Sequence, residues 1–206
     1  MTKLDALFVE GPDDGAFINA LVAKMRGLKI ADSRLVRTLP DAGDAWALKA
    51  FDDYVNETKG RPDVRVGLVL DRDLPDNDKW PSVQGRLKAL GLSAPAPASE
   101  GAVVDGRYGI WMWPDNVTHG TLETFVAAVL SPSPTYEFAH DVSRTARESH
   151  GAEFRERDLP KAALKVRSVW RDATAAGGYG HLVRNLEVLP DPAAAFLAWF
   201  DTLFLR

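Results

Sequence analysis

The sequence predicts an α/β fold in which helices cover both faces of a largely parallel sheet. Short apolar runs alternate along the chain with stretches whose apolar residues recur at helical spacing. This alternation is typical of strands joined by crossover helices, which leave the strands parallel to one another. Two of the apolar runs also end abruptly at acidic residues, which marks one edge of the predicted sheet as the place for chemistry.

Four apolar runs are predicted as strands. The strongest is Val64–Leu70, which is mainly apolar and rich in β-branched residues. The other three are Leu4–Val9, Leu35–Leu39 and Tyr108–Trp113. Because each run is short and bounded by polar or turn-forming residues, each is expected to be a buried strand.

Helices are predicted between and after these strands. A sharp turn over Gly11–Asp14 precedes the first helix, which we expect Asp13 or Asp14 to cap. A Pro/Ser-rich turn over Ser131–Tyr136 precedes a charged, exposed helix over Phe138–Arg157, and Gly177–Gly180 is expected to be a loop without the spacing of a nucleotide-binding motif. The remaining helices are predicted over Ala45–Val55, Val83–Leu90, Thr121–Leu130, Lys161–Ala173 and Pro192–Phe204.

Length and hydropathy indicate one domain. The 206 residues suffice for one sizeable hydrophobic core but are few for two, so we expect a single domain over 1–206 with a helical elaboration from about residue 138. The chain has no apolar run long enough to span a bilayer. Its start has an acidic residue within its apolar stretch, unlike a signal peptide, so we expect a cytoplasmic protein.

Composition limits the chemistry. The chain has no cysteine, which excludes disulfides, thiolate catalysis, zinc–thiolate sites and iron–sulfur clusters. Its four histidines show no metal-binding spacing, so Asp and Glu oxygens are the expected metal ligands, and these suit hard ions such as Mg²⁺ or Mn²⁺. A net charge of −4 argues against tight, unaided DNA binding but does not exclude nucleic acid as a substrate.

The candidate site consists of acids at strand ends. Glu10 follows the first predicted strand, while Asp71 and Asp73 follow the strongest one. If these strands are neighbours, the three carboxylates converge, and strand alternation puts Asp71 and Asp73 on the same side if the strand continues that far. Clustered carboxylates repel one another and need a cation to stay ionised together. A single Asp after a strand is often only a turn residue, but three in this order favour a metal site.

The acidic motifs resemble those of a known family. The pattern Phe8-Val9-Glu10-Gly11-Pro12-x-Asp14, followed by Val69-Leu70-Asp71-Arg72-Asp73, is similar to the Toprim domain of topoisomerases, primases and OLD-type nucleases. Within that group the chain resembles the OLD-like proteins and, among them, the DUF3226 family. This last resemblance extends over Trp113–Asn116, Gly120–Glu123 and the helix Lys161–Trp170.

The resemblance implies roles for particular residues. In Toprim enzymes the Glu acts as a general acid/base or metal ligand and the DxD motif binds metal, which carries over to Glu10, Asp71 and Asp73. OLD-like nucleases use further acids and a late Lys that stabilises the transition state, and these carry over to the following residues: Asp14 and Glu123 as metal ligands, and either Lys161 or Lys165 as the cation. One position departs from the pattern, because Pro75 stands where topoisomerases and primases often have a third acid.

These expectations favour a nuclease that uses Mg²⁺ or Mn²⁺ to cleave DNA or RNA, in phage defence or repair. The alternative is a non-catalytic Toprim-fold interaction or regulatory protein that acts with a separate ATPase partner, since the chain has no GxxxxGK[ST] motif. A phosphatase with an aspartyl nucleophile is disfavoured because its DxD would follow the first strand, where Glu10 stands.

Basic residues are concentrated late in the chain. Acids are interleaved with them, which favours a solvated charged surface, and the alternative is a path for nucleic acid beside the acidic site. These residues are Arg144, Arg147, Arg155, Arg157, Lys161, Lys165, Arg167 and Arg171.

Overall fold

A computed structural model describes residues 4–30, 35–39, 43–174, 179–183 and 190–205. The described strands are Ala6–Val9 (β1), Val36–Arg37 (β2), Val66–Asp71 (β3), Ala102–Val104 (β4) and Tyr108–Trp113 (β5). They form one sheet in the order β2-β1-β3-β5-β4. All neighbouring strands are parallel except β4 and β5, so the predicted α/β class and largely parallel sheet are confirmed.

The described helices cover both faces of this sheet. Strand alternation explains the two layers, since Leu7 and Val9 point into one apolar cluster while Ala6 and Phe8 point into the other. The helices are Pro12–Arg26 (α1), Gly43–Glu57 (α2), Trp80–Ala89 (α3), Leu122–Val129 (α4), Pro134–Ser149 (α5), Leu159–Arg171 (α6) and Asp191–Phe204 (α7). Helices α1, α4, α6 and α7 contribute to the first cluster, and α2 and α3 to the second.

Helix α7 packs closely on the middle of the sheet. A Cβ atom at Gly109 in β5 would lie 2.3 Å from Cδ2 of Leu203, so only a glycine allows this approach. No helix in the described ranges has both the length and the apolar character needed to cross a membrane.

Helix α5 differs from its prediction. The Pro/Ser-rich segment is the start of the helix, because Oγ of Ser133 accepts a hydrogen bond from the Tyr136 backbone N–H and Pro134 occupies the first turn. The helix ends at Ser149, ahead of Gly151, whose φ of 74° is left-handed, so the expected extent of Phe138–Arg157 is wrong.

Two further differences concern short elements. β4 is an antiparallel edge strand that no predicted run covers. Gly177 and Gly178 of the predicted loop lie outside the described residues, while Tyr179–Val183 forms a short 3₁₀ helix.

Candidate functional site

The acids that follow β1 and β3 lie at the same edge of the sheet. The two strands pair in parallel with Val9 opposite Val69, so both end at this edge. Glu10 directly follows β1, and Asp71 is the last residue of β3. The Asp71 backbone N–H donates a hydrogen bond of 3.4 Å to Oε2 of Glu10. The predicted convergence of these two residues is confirmed.

Asp73 reaches the same edge through a turn. β3 does not continue as far as Asp73, whose φ of 66° is left-handed. Its backbone N–H donates to the Gly120 carbonyl over 2.9 Å, and Nδ2 of Asn77 donates to its Oδ2 over 2.8 Å. The position of this carboxylate is therefore set by a turn anchored on Gly120, and strand alternation does not account for it.

A cavity of about 320 Å³ opens at this edge of the sheet. Its acidic wall consists of the carboxylates of Glu10, Asp71, Asp73 and Glu123. Glu123 lies in the first turn of α4, and the Leu122 N–H at the start of that helix donates to Oδ1 of Asp71 over 2.7 Å. The start of α4 thus fixes one carboxylate of the wall and supplies another.

The same cavity has a basic wall, in which Arg155, Arg157 and Lys161 outnumber the one acid from the same segment, Asp158. These residues come from the segment that leads into α6 and from its first turn. Helix α6 packs against α4 and α5, so the helical part of the chain brings these cations to the acids of the sheet edge. Three late basic residues of the sequence thus lie beside the predicted acidic site.

Burial and mutual repulsion perturb the acids. Burial raises the pKa of Glu10 to about 7, and the carboxylates of Asp44 and Asp73 add to this effect. Burial also raises the pKa of Asp71 well above its ordinary value, with contributions from the charges of Asp14 and Glu10. Without a cation, burial and repulsion therefore favour the protonated forms of Glu10 and Asp71.

Asp14 lies behind the acidic wall, where both of its oxygens are engaged. Oδ1 accepts a hydrogen bond of 2.8 Å from Nε1 of Trp113, and Oδ2 accepts one of 3.1 Å from the Gly11 N–H at the start of α1. Burial raises its pKa to about 7, and the charge of Glu10 contributes. Asp14 does not line the cavity, and its role as a metal ligand stays a prediction.

Glu123 is a member of the acidic wall whose charge the site favours. Burial opposes its charge, but Lys161 and hydrogen bonds outweigh burial and lower its pKa. Its Oε1 lies 3.2 Å from Nζ of Lys161 and accepts a hydrogen bond of 3.0 Å from the Tyr179 hydroxyl. In turn, the pKa of Lys161 is raised because the attraction of Glu123 exceeds the effect of burial.

The structure distinguishes the two candidate lysines. Lys161 lines the cavity and pairs with Glu123, whereas Lys165 is exposed and does not line it. The two residues are four positions apart on α6, yet only the first turn of the helix reaches the cavity. Of the two, only Lys161 lines the cavity, and its role there stays a prediction.

The sequence did not predict three residues that support the site. Lys79 pairs with Asp44 and lies 3.6 Å from Oδ2 of Asp73, and Asp44 is the main cause of its raised pKa. Tyr179 and Trp113 donate hydrogen bonds to carboxylates of the site. No local motif marks Lys79 or Tyr179, which tertiary packing brings to the site. Trp113 had one signal in the sequence, its position at the end of the predicted strand β5.

The donor chemistry of the acidic wall fits a hard divalent ion. The described hydrogen bonds engage one oxygen each of Glu10, Asp71 and Asp73 and leave the other available. Within the described ranges no group of three or more Asp, Glu or His side chains is placed to hold a metal ion. Mg²⁺ commonly binds through one or two carboxylates, with water and substrate phosphate completing its shell, and this wall can supply such a partial ligand set.

Comparison with known proteins gives a family. The model of the family described as "Protein of unknown function (DUF3226)" matches residues 5–205, which is nearly the whole chain. No curated protein and no solved structure matches it significantly. The match includes both walls of the cavity, and the chain belongs to the DUF3226 family.

Proposed function

We propose that this protein is a metal-dependent nuclease of the Toprim type, which hydrolyses phosphodiester bonds in DNA or RNA. The observation that carries this proposal is the single cavity that has both an acidic and a basic wall. Metal-dependent phosphodiester hydrolysis uses a divalent ion near the reacting phosphate, and fixed positive charge stabilises the transition state. The two walls supply ligands for the first and side chains for the second.

The strand-end geometry supports the Toprim comparison. A Glu after the first strand and a DxD motif after a parallel neighbour are the features on which the resemblance rests, and both lie at the cavity. The missing third acid also agrees with this comparison, because Pro75 stands at that position and begins a short 3₁₀ helix. This difference favours the OLD-like group over topoisomerases and primases.

The side chains then take distinct roles. The carboxylates that would bind Mg²⁺ or Mn²⁺ are among Glu10, Asp71, Asp73 and Glu123, and the ion supplies electrophilic activation of the phosphate and the attacking water when bound. The Toprim resemblance also implies that Glu10 accepts the proton of that water. Lys161 contributes positive charge as the phosphate gains negative charge.

A cleavage assay tests the proposal. The purified protein is incubated with supercoiled plasmid, single-stranded DNA and RNA in the presence of Mg²⁺ or Mn²⁺. Nicked or shortened products should form with either metal and disappear when EDTA is added. A Glu10→Gln preparation, purified identically, should be inactive because Gln neither accepts the proton nor binds the metal as strongly.

Two outcomes would contradict the nuclease proposal. Equal cleavage by the Glu10→Gln preparation would identify a contaminant or another site. Failure to cleave any of the three substrates with either metal would favour the alternative, a non-catalytic protein that acts with a separate ATPase. Pull-down of the tagged protein from its native host would then test for that partner.

A further inference from the structure

The basic wall has one cation that forms no ion pair among the described residues. Residues 155–161 contain five charged side chains, and four of them form ion pairs. Arg155 pairs with Asp158 over 2.7 Å, Glu156 pairs with Arg147, and Lys161 pairs with Glu123 over 3.2 Å. The fifth is Arg157, which has no carboxylate within 4.0 Å among the described residues.

Arg157 is exposed and lines the cavity. The ion pairs of Arg155 and Glu156 hold the short 3₁₀ helix Glu156–Asp158 on either side of it. A guanidinium group binds a phosphate through two parallel hydrogen bonds, and an unpaired one need not break an existing ion pair to do so. Arg157 is therefore an available phosphate-binding group on a segment that its neighbours fix in place.

We propose that Arg157 binds a phosphate next to the scissile one, and hence that the substrate is a nucleic-acid strand and not a small phosphate monoester. This inference rests on the proposed function, because it concerns the substrate of the same cavity. The acidic wall with Lys161 serves one phosphate, so a separate free cation fits a substrate that carries a second one. A nucleic-acid strand has a phosphate at every nucleotide, whereas a phosphate monoester has only one.

The size and charge of the molecule agree with a strand that extends past the cavity. A volume of about 320 Å³ lies at the lower end of the range for small-molecule pockets, so a polymer must leave the cavity along the surface. The chain has a net charge of −4, so attraction for a strand has to come from local cations. Arg157 supplies such a charge at the rim.

Binding measurements separate this inference from catalysis. Fluorescence anisotropy measures the affinity for labelled single-stranded DNA and RNA in millimolar Ca²⁺, with a gel to confirm that the strands stay intact. Arg157→Ala should weaken binding about tenfold, and the slope of log K against log salt should fall by about 0.7 because one phosphate contact is lost. Arg157→Lys should recover part of the affinity.

Arg171→Ala is the matched control, since Arg171 is exposed and does not line the cavity. Its effect on affinity should stay below about twofold.

The alternatives give different results. The inference is wrong if neither strand binds, if Arg157→Ala and Arg171→Ala weaken binding equally, or if a nucleoside monophosphate competes as well as a strand does. Binding that depends on Arg157 without any cleavage would keep this inference and contradict the nuclease proposal. Cleavage together with binding that does not depend on Arg157 would contradict this inference and keep the nuclease proposal.

Discussion

The two walls of the cavity are built in different ways. The acidic wall lies on the sheet edge, where backbone N–H groups and neighbouring helices hold the carboxylates and the Glu123 side chain is only 11% exposed. The basic wall lies on a surface segment, where Lys161 is 46% and Arg155 65% exposed. Burial therefore raises the pKa of Glu10 and Asp71, while the cations keep their charge in contact with water.

This difference leads to different expectations for substitutions. A change in the acidic wall alters metal affinity, protonation and stability together, because the acids are desolvated and repel one another. A change at Arg155 or Arg157 in the basic wall alters binding or rate but should leave the free energy of unfolding almost unchanged, because exposed charges contribute little; the loss of Lys161 costs more, since its partner Glu123 is buried. Four substitutions test this contrast.

The largest effect is expected at Asp71. Asp71→Asn keeps an oxygen that can accept the Leu122 N–H but removes the charge that a metal ion requires. Cleavage should fall by about 10³-fold, since a divalent ion contributes several kcal/mol to such reactions, and Mn²⁺ should no longer raise Tm in calorimetry. Asp76→Asn, an exposed acid that does not line the cavity, is the control and should behave like the wild type. An active Asp71→Asn variant would place the chemistry elsewhere.

The next largest effect is expected at Lys161 of the basic wall, with Lys165 on the same helix as its control. Lys161→Ala should lower the cleavage rate by about 10²-fold, the size expected when one electrostatic stabiliser is lost. Lys165→Ala removes the same charge from the same helix outside the cavity and should lower the rate less than about twofold. Initial rates at saturating metal make the comparison. Equal losses from both variants would mean that the charge of the helix matters and the position of Lys161 does not.

Tyr179 tests whether support behind the acidic wall matters. Tyr179→Phe removes the hydroxyl that donates to Glu123 and should weaken Mn²⁺ binding about tenfold, as measured by calorimetric titration. Tyr108→Phe is a suitable control. Tyr108 is as buried as Tyr179, at 3% exposure, but it lies at the end of β5 away from Trp113 and the site. Unchanged affinity in Tyr179→Phe would show that Lys161 alone is enough to position Glu123.

The sequence predicted the sheet edge well because the relevant signals are local. An apolar run that stops at an acid identifies both the strand and its end, and the boundaries of β5 were predicted to the residue. Glu10 and Asp71 then converge as a consequence of parallel pairing. The same logic did not reach Asp73, whose turn depends on a hydrogen bond to distant Gly120.

Contacts between segments far apart in the chain were not predictable in this way. Tyr179 lies in a 3₁₀ helix that packs on α1, where Gly180 approaches Ala16 so closely that a Cβ would lie 2.8 Å from its carbonyl oxygen. Arg157 is one of many late basic residues in the sequence, and its lack of a partner becomes visible only once the ion pairs around it are known. Such features depend on tertiary packing, which periodicity and turn chemistry do not encode.

The smallest effect concerns how pH changes the stability of the metal-free protein. The pKa of Glu10 rises from 4.5 in the unfolded chain to about 7 in the fold, mainly through burial, so the folded state binds a proton more tightly between these values. Stability should therefore fall as pH rises through this window, and Asp71 acts in the same direction. Glu10→Gln carries no charge at this position, so its Tm relative to the wild type should increase by a few degrees between about pH 5 and about pH 8 in EDTA.

Adding Mn²⁺ at the higher pH should narrow this Tm difference, because the cation favours the ionised Glu10 of the wild type. Glu57→Gln, at the end of α2 and exposed, is the control and should show no such trend. A Tm difference that stays constant across the window would mean that Glu10 is ionised in the fold even without metal.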